Sequence, residues 1–234
     1  MISLILGLVL SILIFALGMN KETLFFYFNI HSIILICGGT LAVLFSSNTM
    51  LVIKNLITEL KNLFKSDLDL ALSSNELKKL ATNRFEKIES KDPLINYAFD
   101  LWSQGIPAEM FIVLVSQKRK ELEQKSLDAV HCLKNLAKYP SALGMVGTVM
   151  GIVELFKKLE SDKSQIGPAF AAALTATFFG LVLSNVIIMP LADRLHVKHI
   201  SQKKYLQHVY QILLLINQNE ASHLIENEVT QRAV

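Results

Sequence analysis

Charged residues are scarce in this 234-residue chain, and long stretches of it contain none. Asp, Glu, Lys and Arg make up 18% of the sequence, and 52% is hydrophobic, whereas a soluble domain usually carries more charge, spread more evenly. Residues 1–20, 23–53, 139–153 and 164–192 are uncharged. The net charge of +3 is small and well mixed, which argues against nucleic-acid binding.

Cysteine is also rare, and the two thiols have no metal-ligand spacing. Cys37 lies in an apolar run and Cys132 on a predicted helix, so a disulfide between them is not expected. The six histidines are scattered along the chain, and no nucleophile–base arrangement is visible. We predict no metal site, no cofactor and no enzymatic activity.

The uncharged runs are long enough to cross a bilayer, which takes roughly 20 helical residues. We predict spans at about 1–19, 23–50, 139–156 and 166–191. No Lys or Arg precedes the first run and no small-x-small cleavage site follows it, which favours a retained span over a cleaved signal. The prediction is an all-α integral membrane protein with four transmembrane helices and a large helical cytoplasmic segment between the second and third.

Lys and Arg near the span ends predict the orientation. Twelve lie near the long middle segment and the tail, against four in the short connections, so both termini and the middle segment are expected in the cytoplasm. The predicted domains are a transmembrane hairpin (1–53), a cytoplasmic helical domain (54–138), a second transmembrane hairpin (139–191) and a cytoplasmic C-terminal helix and tail (192–234).

The cytoplasmic parts carry helix signals. Asp92-Pro93 predicts a helix through Trp102 that Gly105 breaks, and Ala108 begins a long amphipathic helix. The tail predicts another helix to about Asn217. Its apolar residues, expected on or near one side, are Leu195, Ile200, Tyr205, Val209, Leu213 and Ile216.

The fourth predicted span carries the strongest motif. Residues 173–182 read ALTATFFGLV and are followed by seven residues and Pro190, a pattern that resembles the signature of the MotA family at every constrained position. The third span (142–151), the start of the fourth (166–169) and its exit (190–195) are similar to the same family. The chain is therefore identified as a member of the MotA/PomA flagellar stator family, within the MotA/TolQ/ExbB proton channel superfamily.

Thr148 and Thr177 are the predicted ion pathway. A hydroxyl can ligate an ion at little insertion cost, although a threonine in a span can instead bond to a carbonyl of its own helix. The resemblance puts both threonines at ion-path positions. Glycines at spacings of three and four predict close helix packing; the set is Gly144, Gly147, Gly151 and, within the fourth-span motif, Gly180.

Neither predicted pore helix has a carboxylate at mid-span. Glu154 lies toward the predicted periplasmic end of the third span. There it is either a solvated residue at the membrane interface or a residue at the entrance of the ion path. The resemblance implies that another protein lends the ion-binding acid. By the same resemblance, we expect that protein to be a MotB/PomB-type subunit with one span, an essential Asp and a peptidoglycan-binding domain, and we expect a homo-pentamer of this chain to surround a dimer of it.

Pro190 and Pro140 are predicted hinges, although Pro140 fits simple helix punctuation equally well. When the shared glycines are aligned, Ser141 takes the place of the family's third-span proline, so Ser141 belongs to the hinge candidates.

The resemblance also implies contact with the rotor protein FliG. The candidates are Arg84, Glu86, Lys87 and Glu89; the alternative is a solvated charged face. The family's glycine is absent from this stretch, and the segment is shorter than in the family.

The function predicted is a flagellar stator subunit that uses a proton or sodium gradient, with the two threonines favouring sodium. Two alternatives remain open: an ExbB/TolQ-like or non-flagellar ion-driven energiser, and a membrane scaffold without transport.

Overall fold

The computed structural model describes residues 2–18, 30–63, 90, 92–159 and 166–217, and within these ranges it is helical without strands. The elements, in chain order, are α1 (Ile2–Gly18), α2 (Ile30–Ile33), the π-helical segment π1 (Ile34–Gly38), α3 (Gly39–Ser47), α4 (Met50–Leu63), α5 (Pro93–Ser103), α6 (Ala108–Leu136), α7 (Tyr139–Leu159), α8 (Ile166–Leu181), the π-helical segment π2 (Val182–Ile188) and α9 (Met189–Asn217). The all-α fold class is confirmed for this part of the chain.

Three of the described helical stretches are long and apolar enough to cross a membrane. They lie within Ile30–Ser47, Ala108–Lys157 and Ile166–Asn217, and a shorter apolar helix occupies Leu6–Phe15. The sequence predicts four spans. Residues 19–29, where the predicted second span begins, lie outside the described residues.

The chain divides into two compact units. The first contains Met1–Leu60 and Asp128–His196, and the second contains Lys61–Leu127 and Val197–Val234. The first unit thus contains the helices predicted to span the membrane, and the second gathers most of the predicted cytoplasmic domain with the tail.

The first unit exposes large apolar side chains on successive helices. Leu17 on α1, Phe45 on α3, Val149 on α7 and Phe170 on α8 all point outward. A helix that is apolar all round is typical of a membrane span or of a helix covered by other chains. This unit is therefore suited to a lipid environment.

The second unit has an apolar core formed by α5, α6 and α9. Its buried residues are Leu94, Ile95, Ala98, Leu101, Phe111, Val115, Tyr205, Leu206, Val209, Ile212, Leu213 and Ile216. The Asp92 side chain accepts a hydrogen bond from the Leu94 N–H at 2.7 Å, and Pro93 occupies the first turn of α5, where a missing N–H costs little. Gly105, with φ of 66°, lies just after the end of α5, where the connection to α6 begins.

One apolar residue of the tail helix, Ile200, does not share the side on which the sequence predicted the apolar residues to lie. Ile200 is 42% exposed, whereas Tyr205, Val209 and Leu213 are buried. At 100° per residue, Ile200 is rotated to the side of α9 opposite these residues. Its apolar character alone did not place it in the core.

Candidate functional site

Thr148 and Thr177 meet between α7 and α8. Their hydroxyl groups are hydrogen-bonded to each other. The Thr148 Oγ1 also lies 3.0 Å from the Gly144 carbonyl of its own helix and 3.2 Å from the Ala173 carbonyl of α8. The Thr177 Oγ1 lies 3.3 Å from the same Gly144 carbonyl. The Thr148 hydroxyl therefore reaches acceptors both in its own helix and across the interface. The contact within its helix is the alternative to ion ligation that the sequence left open.

These two hydroxyls and the carbonyls of Gly144 and Ala173 form what we call the threonine cluster. Each hydroxyl has one proton to donate, while the cluster contains four close oxygen–oxygen contacts. At most two of those contacts can be hydrogen bonds at any moment. The cluster is therefore rich in lone pairs, and oxygen lone pairs are what hard cations bind in proteins.

Three glycines of α7 allow α8 to approach closely enough for this contact. A Cβ at Gly144 would lie 3.1 Å from the Thr177 Cα, one at Gly147 would contact Ala176, and one at Gly151 would lie 2.5 Å from the Ala173 Cβ. Real Cβ atoms essentially never lie as close to other atoms as those at Gly147 and Gly151 would, and the contact at Gly144 would be tighter than most real ones. The spacing of three and four thus places one bare helix face against α8.

Gly180 extends the same close contact to the start of α7. A Cβ there would lie 3.1 Å from the Gly144 Cα and would meet the Pro140 carbonyl. This end of the interface is also packed backbone to backbone.

Glu154 is the only carboxylate within residues 139–159 and 166–188. It lies six residues beyond Thr148 on α7, about 9 Å along the helix axis, and its side chain is exposed. The threonine cluster therefore has no carboxylate from α7, α8 or π2 beside it.

The three hinge candidates lie at helix starts. Pro140 is buried and Ser141 half-buried in the first turn of α7, and Pro190 is exposed in the first turn of α9. Pro190 is the second residue after π2, and the N–H of the intervening Met189 bonds to the Ser184 carbonyl five residues back. Pro190 has no N–H to donate, and the wider π turn precedes it.

The rotor candidates Arg84, Glu86, Lys87 and Glu89 all lie outside the described residues. Among the residues that are described, no group of three or more His, Cys, Asp or Glu side chains is placed to hold a metal ion.

Sequence reasoning missed two contacts of the first unit. The Ser184 hydroxyl donates to the Ala137 carbonyl, and Gly39 accommodates the Leu143 side chain, which would lie 2.8 Å from a Cβ. The available signals were a serine in an apolar span and the Gly38-Gly39 pair. Neither signal predicts which residue of another helix makes the contact.

Residues 79–208 match the model of the MotA/TolQ/ExbB proton channel family. The chain belongs to this family. The matched region contains the threonine cluster and all four packing glycines, and the family predicted from the fourth-span motif is confirmed.

Two curated relatives carry names from motility and chemotaxis. Motility protein A of Aquifex aeolicus is 30% identical over 45% of this chain and 41% of its own length. Chemotaxis protein PomA of Vibrio alginolyticus is 26% identical over 48% of this chain and 44% of its own length. The matches thus span less than half of either relative.

The fold is shared more completely than the sequence. The structure of C. jejuni MotAB contains a chain that superposes with a TM-score of 0.82 over 98% of this chain and 94% of that one, at 18% identity. This chain therefore shares its fold with a chain of a MotAB structure.

Proposed function

We propose that this chain is a stator subunit of a bacterial flagellar motor, and that its α7–α8 hairpin forms part of an ion channel. The observation that carries the proposal is the threonine cluster in a protein of the MotA fold. Oxygen atoms converge there between two apolar helices, and no carboxylate of these helices accompanies them.

The missing acid supports a partner of the MotB/PomB type. A cation that leaves water needs compensating charge, and a carboxylate in a span is costly and functional by default. In this proposal the partner's single span places its Asp near the threonine cluster. The fold neighbour from C. jejuni comes from a MotAB structure, which supports the pairing.

The proposed topology has four spans with both termini in the cytoplasm. It is supported by the apolar character of α1 and by the twelve-to-four bias of Lys and Arg. Glu154 then lies near the periplasmic end of α7, on the side from which ions arrive, and the second compact unit lies in the cytoplasm.

We further propose a homo-oligomer, a pentamer by family resemblance, that surrounds the partner. The outward apolar side chains Met145, Val149 and Phe156 of α7 support this, because other chains can cover them. The cytoplasmic segment would contact FliG through the stretch that contains Arg84 and Glu89.

The energy available is sufficient for a change in helix packing. One monovalent ion that crosses about 150 mV releases about 3.5 kcal/mol, which shifts a two-state equilibrium between helix packings without unfolding a domain. Pro140, Ser141 and Pro190 lie where such a change would bend the chain. Because both cluster side chains are neutral hydroxyls, we propose sodium as the ion, with the proton as the alternative.

The test compares two threonines in a strain that lacks this chain. Thr177→Val removes a cluster hydroxyl with little change in volume. Thr175→Val is the matched control, because Thr175 is buried and bonds within its own helix to Ala171 at 2.7 Å. We expect Thr177→Val to abolish swimming and Thr175→Val to preserve it. Unchanged swimming with Thr177→Val would exclude the cluster from the ion path.

A further inference from the structure

Two interruptions of regular helix lie near each other in the first unit. The first separates α6 from α7. α6 ends at Leu136, Ala137 and Lys138 form a turn, and α7 begins at Tyr139. Pro140 follows at once and has no N–H, so the carbonyls at this turn have fewer backbone donors than in a continuous helix.

The second interruption is π2, between α8 and α9. Its i→i−5 bond from Met189 to Ser184 marks a local change of helical pitch just before Pro190. Short π segments of this kind occur frequently at functional sites in helices, and helix bends concentrate at such segments and at prolines.

Ser184 joins the two interruptions. A serine in a helix usually bonds to the carbonyl four residues back, but this hydroxyl donates its single proton to the Ala137 carbonyl, 47 residues away. The side chain is 6% exposed, so water does not replace Ala137 as the acceptor. The bond connects π2 directly to the turn between α6 and α7.

We propose that Ser184 is a positioning residue that makes the turn at Ala137 and the π2 segment move as one hinge. What drives the movement rests on the proposed function: it is ion binding at the threonine cluster, whose Thr177 lies seven residues before Ser184. The mechanical link itself rests on the hydrogen bond alone. A shift of α8 relative to α7 is then transmitted to the end of α6.

Hydrogen–deuterium exchange on the purified full-length chain in detergent tests the link. Ser184→Ala removes the hydroxyl without adding volume. We expect the peptides covering 137–144 and 182–191 both to exchange about fivefold faster. The reason is that the substitution removes the one buried hydrogen bond that protects both peptides from local opening. Ser184→Thr, which keeps a hydroxyl, is expected to restore slow exchange in both peptides.

Thr175→Val is the matched control, since it removes a buried hydroxyl from the same helical stretch that bonds only within it. It is expected to leave both peptides unchanged. The proposal is overturned if Ser184→Ala accelerates one peptide and not the other, if it accelerates neither, or if Thr175→Val has the same effect. Because exchange does not depend on swimming, a failure of the proposed function in the Thr177→Val experiment is separate from a failure of this link.

Discussion

The Tyr205 hydroxyl donates a 2.5 Å hydrogen bond to the Oδ2 of Asp92, 113 residues earlier in the chain. The other carboxylate oxygen caps α5 through the Leu94 N–H, and Asp92 is 1% exposed. One buried carboxylate thus starts α5 and attaches it to α9. The second unit depends on this attachment for the relative position of two of its core helices.

Tyr205→Phe should therefore destabilise the second unit. The substitution keeps the ring in the core but leaves the buried Asp92 Oδ2 without that donor, which costs about 1–3 kcal/mol. Exchange protection of the peptide 93–103 measures the effect in the full chain. Tyr210→Phe is the control, because within the described residues the Tyr210 ring faces Arg119 at 4.7 Å and its hydroxyl makes no hydrogen bond. Equal protection in the two variants would contradict the prediction.

The starting point of α5 could be predicted from the sequence, but its attachment could not. Asp92-Pro93 and Gly105 are local signals, since a cap and a positive φ depend on neighbouring residues. The bond between Asp92 and Tyr205 depends on how distant helices pack. Ile200 shows the same limit, because an apolar residue in a helix is buried only on the side that meets a neighbour.

The candidate site divides along the same line. The spacing of Gly144, Gly147 and Gly151 predicted a bare helix face, and the structure places α8 against it. The contact of Ser184 with Ala137 was not predictable, because a serine in a span has several acceptors within reach and the sequence does not choose among them.

Gly151→Ala should separate α7 from α8. The new Cβ would lie 2.5 Å from the Ala173 Cβ and 2.9 Å from its Cα, and backbone cannot move aside as a flexible side chain can. Overpacking of this kind costs about 1–3 kcal/mol, to be measured as a lower thermal midpoint by circular dichroism in detergent. Gly167→Ala is the control, because a Cβ at Gly167 has nothing within 4 Å. A midpoint that falls equally in both variants would show that the close approach is not responsible.

Thr148→Val and Thr177→Val should be non-additive. The two hydroxyls contact each other, and both contact the Gly144 carbonyl. The first substitution therefore already removes an interaction that the second would also remove. Coupling across membrane helices averages about 0.6 kcal/mol and reaches about 1.7 kcal/mol. A cycle of unfolding free energies in detergent measures it, with Thr148 and Thr175 as the control pair. Additive effects in the first pair would mean that the threonine contact does not contribute.

Swimming should depend on external sodium. A neutral oxygen cluster suits a cation that is ligated by lone pairs, and α7 and α8 themselves place no titratable group beside it. Sodium is exchanged for potassium at a fixed proton motive force, and swimming speed is followed by video tracking of cells that carry this chain. We expect the speed to fall with sodium and to recover when sodium is restored. A variant with Thr148→Ala should shift this dependence, whereas Thr175→Val should not. Speed that is unchanged in potassium would assign the ion as the proton, and the cluster hydroxyls would then have to act on the partner's carboxylate or on water instead of on sodium.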